Sequence, residues 1–150
     1  MGGIMVLLDR EFQVLMMELG YIFMGMRRYQ EAKEVFEGLS VFSPNSDVPL
    51  VALGGVSFCM GKFKEAIASY KKAMKVDPES LYAKFYLAEA QFFNGEKKEA
   101  VAGLKEVGIQ DPKGPVGGFA KALLGAIDQG FTPEVLSGSK EIRKMYEKQT

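Results

Sequence analysis

The sequence predicts an all-α chain built from pairs of antiparallel helices, and three observations carry that prediction. Glu31-Ala32, Glu65-Ala66 and Glu99-Ala100 each stand 34 residues after the last. Pro44, Pro78 and Pro112 keep the same interval. After each Ala, at four and seven residues on, come Phe36 and Leu39, Tyr70 and Ala73, then Leu104 and Val107, which is one face of a helix. A unit of this length holds two helices and their turns, and recurrence at a fixed period marks a stacked array.

Each element of the unit has a local reason. About a dozen residues ahead of each Ala, a small residue follows a leucine: Leu19-Gly20, Leu53-Gly54 and Leu87-Ala88. Small side chains there and at the Ala let two helix backbones approach closely. The proline ends the second helix, because it lacks an N–H and disfavours helical geometry in the residue before it. Gly61 and Gly95 mark the turn inside the second and third units. Arg27 holds that position in the first, with Gly25 two residues earlier, so the turn there is expected to be displaced.

These marks resemble the tetratricopeptide repeat over residues 13–112, about two-thirds of the chain. Favoured positions are met by Leu19-Gly20, Phe23, Ala32, Phe36 and Pro44 in the first unit. Leu53-Gly54, Ala66, Tyr70, Ala73 and Pro78 meet them in the second, and Leu87-Ala88, Ala100 and Pro112 in the third. Ser57 and Gln91 depart from it where an aromatic is usual, and Leu39 and Val107 where a small residue is usual. The resemblance implies a right-handed superhelix of three helix pairs, at about 13–44, 47–78 and 81–112, inside one domain over 1–130.

A Gly- and Pro-rich joint at 113–118 leads to a predicted capping helix at about 116–129. Phe119, Ala120, Leu123, Leu124 and Ile127 fall on one face of it and would cover the exposed edge of the last repeat. A tail over 131–150 follows, with a short charged helix at 139–148.

Composition narrows the function. Nineteen basic residues balance nineteen acidic ones, so no net field gathers nucleic acid or an anionic membrane. The basic run Lys71, Lys72 and Lys75 has no interleaved aromatics and is flanked by Glu65 and Asp77. The apolar run at residues 4–8 is far shorter than the roughly 20 residues of a membrane span and reads as the start of a first helix. There is no His, and Cys59 is the sole cysteine, which leaves no disulfide, no His-based triad and no thiolate zinc cluster. No catalytic role, cofactor or metal is implied, and the expected compartment is a reducing cytoplasm. The glycines from Gly55 to Gly61-Lys62 lack the spacing of a phosphate loop, and Phe63 stands where Ser or Thr would hold magnesium. Glu31 with Glu34 and Glu96 with Glu99 read as solvated helix starts.

In proteins of the family, the first helices line a concave groove that binds protein segments. Carried onto this chain, the contact positions are Val14, Met17, Tyr21 and Met24, then Val48, Val51 and Phe58, then Tyr82, Phe85, Glu89 and Phe92. All but Glu89 are apolar or aromatic. The core face of the first helices is expected from Leu15, Leu19, Ile22, Leu50, Leu53, Leu81 and Leu87, which leaves a second apolar stripe to be covered by a ligand, by the chain's own tail or by a second copy.

Adaptable Met and aromatic side chains suit an amphipathic helix or an extended apolar peptide. Met17 and Tyr21 stand where the family's clamp for the acidic tails of heat-shock chaperones needs Lys and Asn. A three-repeat chain with such a groove resembles the small cytoplasmic chaperones of bacterial type III secretion, which keep a needle subunit or hydrophobic translocator soluble until export. The alternative is an adaptor that assembles a complex without an export role.

Overall fold

The computed structural model describes residues 2–134, with side chains from residue 9 onward. Among these residues it contains seven helices and no strand. They are α1 (Gly2–Gly25), α2 (Tyr29–Phe42), α3 (Val48–Cys59), α4 (Phe63–Val76), α5 (Leu81–Phe93), α6 (Lys97–Gln110) and α7 (Pro115–Asp128). The charged helix expected at 139–148 lies outside the described residues.

Each helix packs on the next in the chain, and the odd-numbered helices also meet, α3 with α5 and α5 with α7. The even-numbered helices make no comparable contact. A stack in which α3, α5 and α7 crowd together while the even helices stand apart is curved, with those odd helices on the inner side.

The turns inside the units are one structure repeated. The backbone N–H of Arg28 donates to the Phe23 carbonyl, that of Lys62 to Ser57 and that of Glu96 to Gln91, each at 2.8 Å. A second bond runs from Arg27 to Met24, from Gly61 to Phe58 and from Gly95 to Phe92. This pair of bonds closes a helix through one residue in the left-handed region. Gly61 and Gly95 sit there at φ 75° and 85°, and Arg27 sits there at φ 60°. The first turn is therefore not displaced to Gly25: Arg27 adopts the glycine conformation at a cost of about 1–2 kcal/mol.

The helices before each proline end as expected. Ser43, Asp77 and Asp111 have left the helical region and return a backbone bond to Leu39, Ala73 and Val107. Asp111 also accepts the Gly117 N–H at 2.8 Å, which fixes the start of α7.

Within each unit a large side chain of the second helix lies on a small residue of the first. A Cβ on Gly20 would land on the Phe36 ring, and one on Gly54 would land on the Tyr70 ring. In the third unit a Cβ on Gly103 of α6 would come within 3.2 Å of the Ala88 methyl, beside the fully buried Leu104. Ala32, Ala66 and Ala100 are completely buried at the crossings. α7 closes the far end of the stack, where Val116, Ala120 and Ile127 join the cluster of Leu104 and Val107. Leu123 and Leu124 are half-buried against it, while Phe119 is exposed.

The core of α1 differs from expectation. Leu15 and Ile22 are 61% and 57% exposed, and Met16, Gly20 and Phe23 face the neighbouring helix instead. In register, Leu15 corresponds to Pro49 and Ala83, and Ile22 to Val56 and Ala90, all of them buried. Those positions face the preceding helix pair in the stack, and no pair precedes α1 among the described residues. Leu19, Leu50, Leu53, Leu81 and Leu87 are half-buried.

Two adjacent glycines separate packing from groove shape, because a Cβ on Gly55 would meet only the Met24 methyl, at an ordinary 3.6 Å. Gly54→Ala is expected to lower the free energy of unfolding by about 1–3 kcal/mol through overpacking against Tyr70. Gly55→Ala is expected to be neutral or to stabilise by up to about 1 kcal/mol through helix propensity. Urea titrations of the two variants check this, and equal losses would contradict it.

Candidate functional site

The inner surface is built by α1, α3 and α5, and the 34-residue register sets equivalent residues side by side across it. One row is Val14, Val48 and Tyr82, all about half exposed, with Val48 and Tyr82 in the first turns of α3 and α5 and Val14 midway along α1. The next row that matters is Tyr21, Gly55 and Glu89. Tyr21 is exposed and packs edge-on to Phe36 at 5.3 Å, and Glu89 is half-buried. Gly55, between them, carries no side chain, so the middle of the groove is hollow at this level. Met24 flanks the hollow from α1.

Tyr86 stands on α5, one turn before Glu89. Its ring stacks on Tyr82 at 6.3 Å and on Tyr70 at 5.8 Å. Phe58 packs edge-on to Phe63 and Phe93, each at 5.3 Å, and closes the groove toward the α3–α4 turn. Met17 and Met24 are half-buried against the Ala32 and Phe36 cluster, and Val51 and Phe58 against Ala66, Ile67 and Tyr70.

Two expected groove residues are instead core. Phe85 is 6% exposed and Phe92 is 3% exposed, both in the cluster around Leu104. Phe119 of α7 reaches Phe85 at 5.9 Å, and Phe131 stacks on Phe92 at 5.8 Å. The elements that follow the third unit thus cover positions that a bare repeat would expose. Tyr86, one residue beyond Phe85, is half-buried between the buried Tyr70 and the exposed Tyr82 ring of the first row, and sequence reasoning missed it. The signal that would have found the hollow is the alignment of Gly55 with Tyr21 and Glu89.

The site is poor in charge. α3 has no charged residue. Lys84 of α5 turns to α6, donating to Gln110 at 2.9 Å with Glu106 at 3.9 Å. Glu31 is paired with Arg28 at 3.0 Å, and Glu34 accepts a bond from Gln30 at 3.3 Å. Glu89 has no hydrogen bond or ion pair among the described residues. Burial raises its pKa to about 7. Burial first, and the Glu89 charge second, push up the pKa of Cys59, Tyr70 and Tyr86. Cys59 is therefore an exposed but poorly ionised thiol. One open depression along α1 is lined by Arg10, Glu11, Val14, Leu15 and Glu18, so it adjoins the first row at Val14, and another lies at the α3–α4 turn. No described helix is long and apolar enough to cross a membrane.

Repeat, turn and packing agree with comparisons to known proteins. Family models described as tetratricopeptide repeat match residues 15–39 and 60–126. The chain is a tetratricopeptide-repeat (TPR) protein. No curated protein sequence matches it significantly. Among solved structures, the TPR chain is similar to the type III secretion translocator chaperone SycD of Yersinia enterocolitica, with 23% identity and a TM-score of 0.72 over 78% of this chain and 90% of that one. SycD in complex with a peptide of the translocator YopD matches at 24% identity and TM-score 0.70, over 79% and 94%. PcrH in complex with the chaperone binding region of PopD matches at 18% identity and TM-score 0.69, over 80% and 93%. At these identities the likeness establishes a shared fold.

The raised pKa of Glu89 ties the stability of the TPR domain to pH. A carboxyl that keeps its proton longer when folded binds more protons in the native state between its ordinary value and about 7. Its contribution to stability therefore falls as pH rises through that window and is greatest below it. Relative to Glu89→Gln, the wild type should lose stability steadily from about pH 4.5 to 7 in denaturant titrations. Parallel curves for the two proteins would contradict this.

Proposed function

We propose that the concave face of α1, α3 and α5 binds an apolar or amphipathic segment of another protein. We further propose that the chain is a cytoplasmic chaperone which keeps a type III secretion substrate, a needle subunit or a translocator, soluble before export. The observation that carries the first part is the bare floor at Gly55, which only the Met24 methyl approaches, on a central helix with no charged residue, with Tyr21 and Tyr86 on the flanking first helices. The exposed aromatic and aliphatic rim of the groove would lose water-accessible area on contact with an apolar partner. At about 25 cal/mol per Å2, covering a few such side chains supplies on the order of several kcal/mol before the entropic cost of association. Support for the second part comes from SycD and PcrH, whose structures hold a translocator peptide and a chaperone binding region on the same fold.

The adaptor reading uses the same groove and differs in the partner. A chaperone client aggregates when released, whereas an adaptor's partner stays folded and soluble. A homodimer is a separate outcome, for which the exposed Leu15 and Ile22 stripe of α1 offers a surface.

Tyr82 and Gly55 are the right positions to test, because neither supports the core. Affinity capture from a native lysate of the source organism, read by mass spectrometry, should recover a small secretion substrate with wild type. Recovery should fall at least about tenfold with Tyr82→Glu and Gly55→Leu, each with unchanged helical circular dichroism. Release of that partner into an aggregated form identifies a chaperone, and release in folded form identifies an adaptor. Equal capture by wild type and both variants would remove the groove as the binding surface. Phe85→Glu, by contrast, is expected to unfold the C-terminal half through an unpaired buried charge.

A further inference from the structure

The Tyr21, Gly55 and Glu89 row has a chemistry that a uniformly apolar segment does not satisfy. At Gly55 only the Met24 methyl approaches the backbone, Tyr21 holds the equivalent position on α1, and on α5, one turn beyond Tyr86, stands the half-buried Glu89 carboxylate with no cationic partner among the described residues. Groups within electrostatic reach of that carboxylate are Cys59 from α3, Tyr70 from α4 and Tyr86 from α5, with Tyr21 of α1 in reach of both tyrosines. None of these groups carries positive charge.

We propose that this row is a slot for one Lys or Arg side chain of the bound segment, with its stem over Gly55 between the tyrosine rings and its cationic head against Glu89. This rests on the groove being the binding surface and adds to it the feature by which partners are chosen.

The argument is one of fit. Lys and Arg carry a flexible apolar stem and a charged tip, so they bury the stem along apolar surface while the tip finds an anion. Aromatic faces attract the same cations. An aliphatic side chain in the slot would leave the carboxylate desolvated and unpaired, a cost that a basic one removes. Discrimination then comes mainly from the penalty on wrong segments, and the apolar rim supplies the affinity.

The pH response follows from the same geometry. Glu89 ionises at about 7 in the free chain. Those tyrosines and Cys59 have raised pKa values, which leaves Glu89 as the group of the slot that changes charge between about pH 6 and 8. A basic side chain binds the ionised form, so affinity for a Lys-bearing segment rises with pH across that range. A segment with Met in place of Lys favours the protonated form, and its affinity falls.

The test uses the whole chain and a library of random twelve-residue peptides displayed on phage, panned against wild type, Glu89→Gln, Glu89→Lys and Gly55→Leu, each checked for helical content. Wild type is expected to select apolar peptides with one Lys or Arg, and Glu89→Lys to select Asp or Glu at that place. For the leading synthetic peptide, Glu89→Gln and peptide Lys→Met should each weaken binding about tenfold, with no further loss when combined. Apolar peptides without a basic residue, bound equally by wild type and Glu89→Gln but lost with Gly55→Leu, would overturn the slot and leave the groove standing. Peptides bound equally by Gly55→Leu, or no peptides at all, would overturn the groove and the slot together.

Discussion

The contact on which the rest depends is the seat of a large second-helix side chain on a small first-helix residue. Phe36 lies on Gly20 and Tyr70 on Gly54, at a distance that no Cβ could share. A helix interior normally disfavours glycine by about 1 kcal/mol, because the unfolded chain gains freedom and the helix loses a side chain. Here that loss is offset by two backbones approaching closely and by the complete burial of an aromatic ring. The close crossing fixes the angle within each pair, and repetition of that angle brings α3 onto α5 and α5 onto α7. The groove is the inner surface of this curve.

Much of this was legible because the signals are local. The prolines end their helices through the residue before them, and the positions four and seven after each repeated Ala are buried because the helical period puts them on one face. Arg27 shows where a local rule falls short. The two backbone bonds that close the turn demand a left-handed residue, and the first unit forms them without glycine. Other differences come from neighbours that no single repeat encodes. Leu15 and Ile22 occupy positions that are core in the later units, yet they lie on a helix with no described pair before it. Phe85 and Phe92 occupy positions expected in the groove, yet α7 and Phe131 cover them. Repeat reasoning assigns a residue to a face, and the position of its unit in the stack decides what covers that face.

Adjacent residues also divide their tasks. Gly54 is small because Tyr70 requires it, whereas Gly55 is small with nothing beside it but the Met24 methyl. The first sets the helix crossing, and the second opens the groove floor at the level of Tyr21 and Glu89. In the proposed reading, a carboxylate without a cationic partner among the described residues, set beside the uncharged α3, gives the groove a polar preference. On that reading the apolar rim would act by area, without direction, and Glu89 by charge at one point.

The central claim is that the partner lies along the concave face, and Cys59 reports on it directly. It is the one cysteine in the chain, it is exposed, and its surroundings include Glu89 and Tyr70. The measurement is the rate at which a neutral thiol reagent modifies Cys59 in the free chain and in the complex purified with its partner, read by intact mass. A segment bound across the row of Tyr21, Gly55 and Glu89 predicts modification slowed by about an order of magnitude or more. Equal rates in the free and bound chain would place the partner elsewhere and contradict the account.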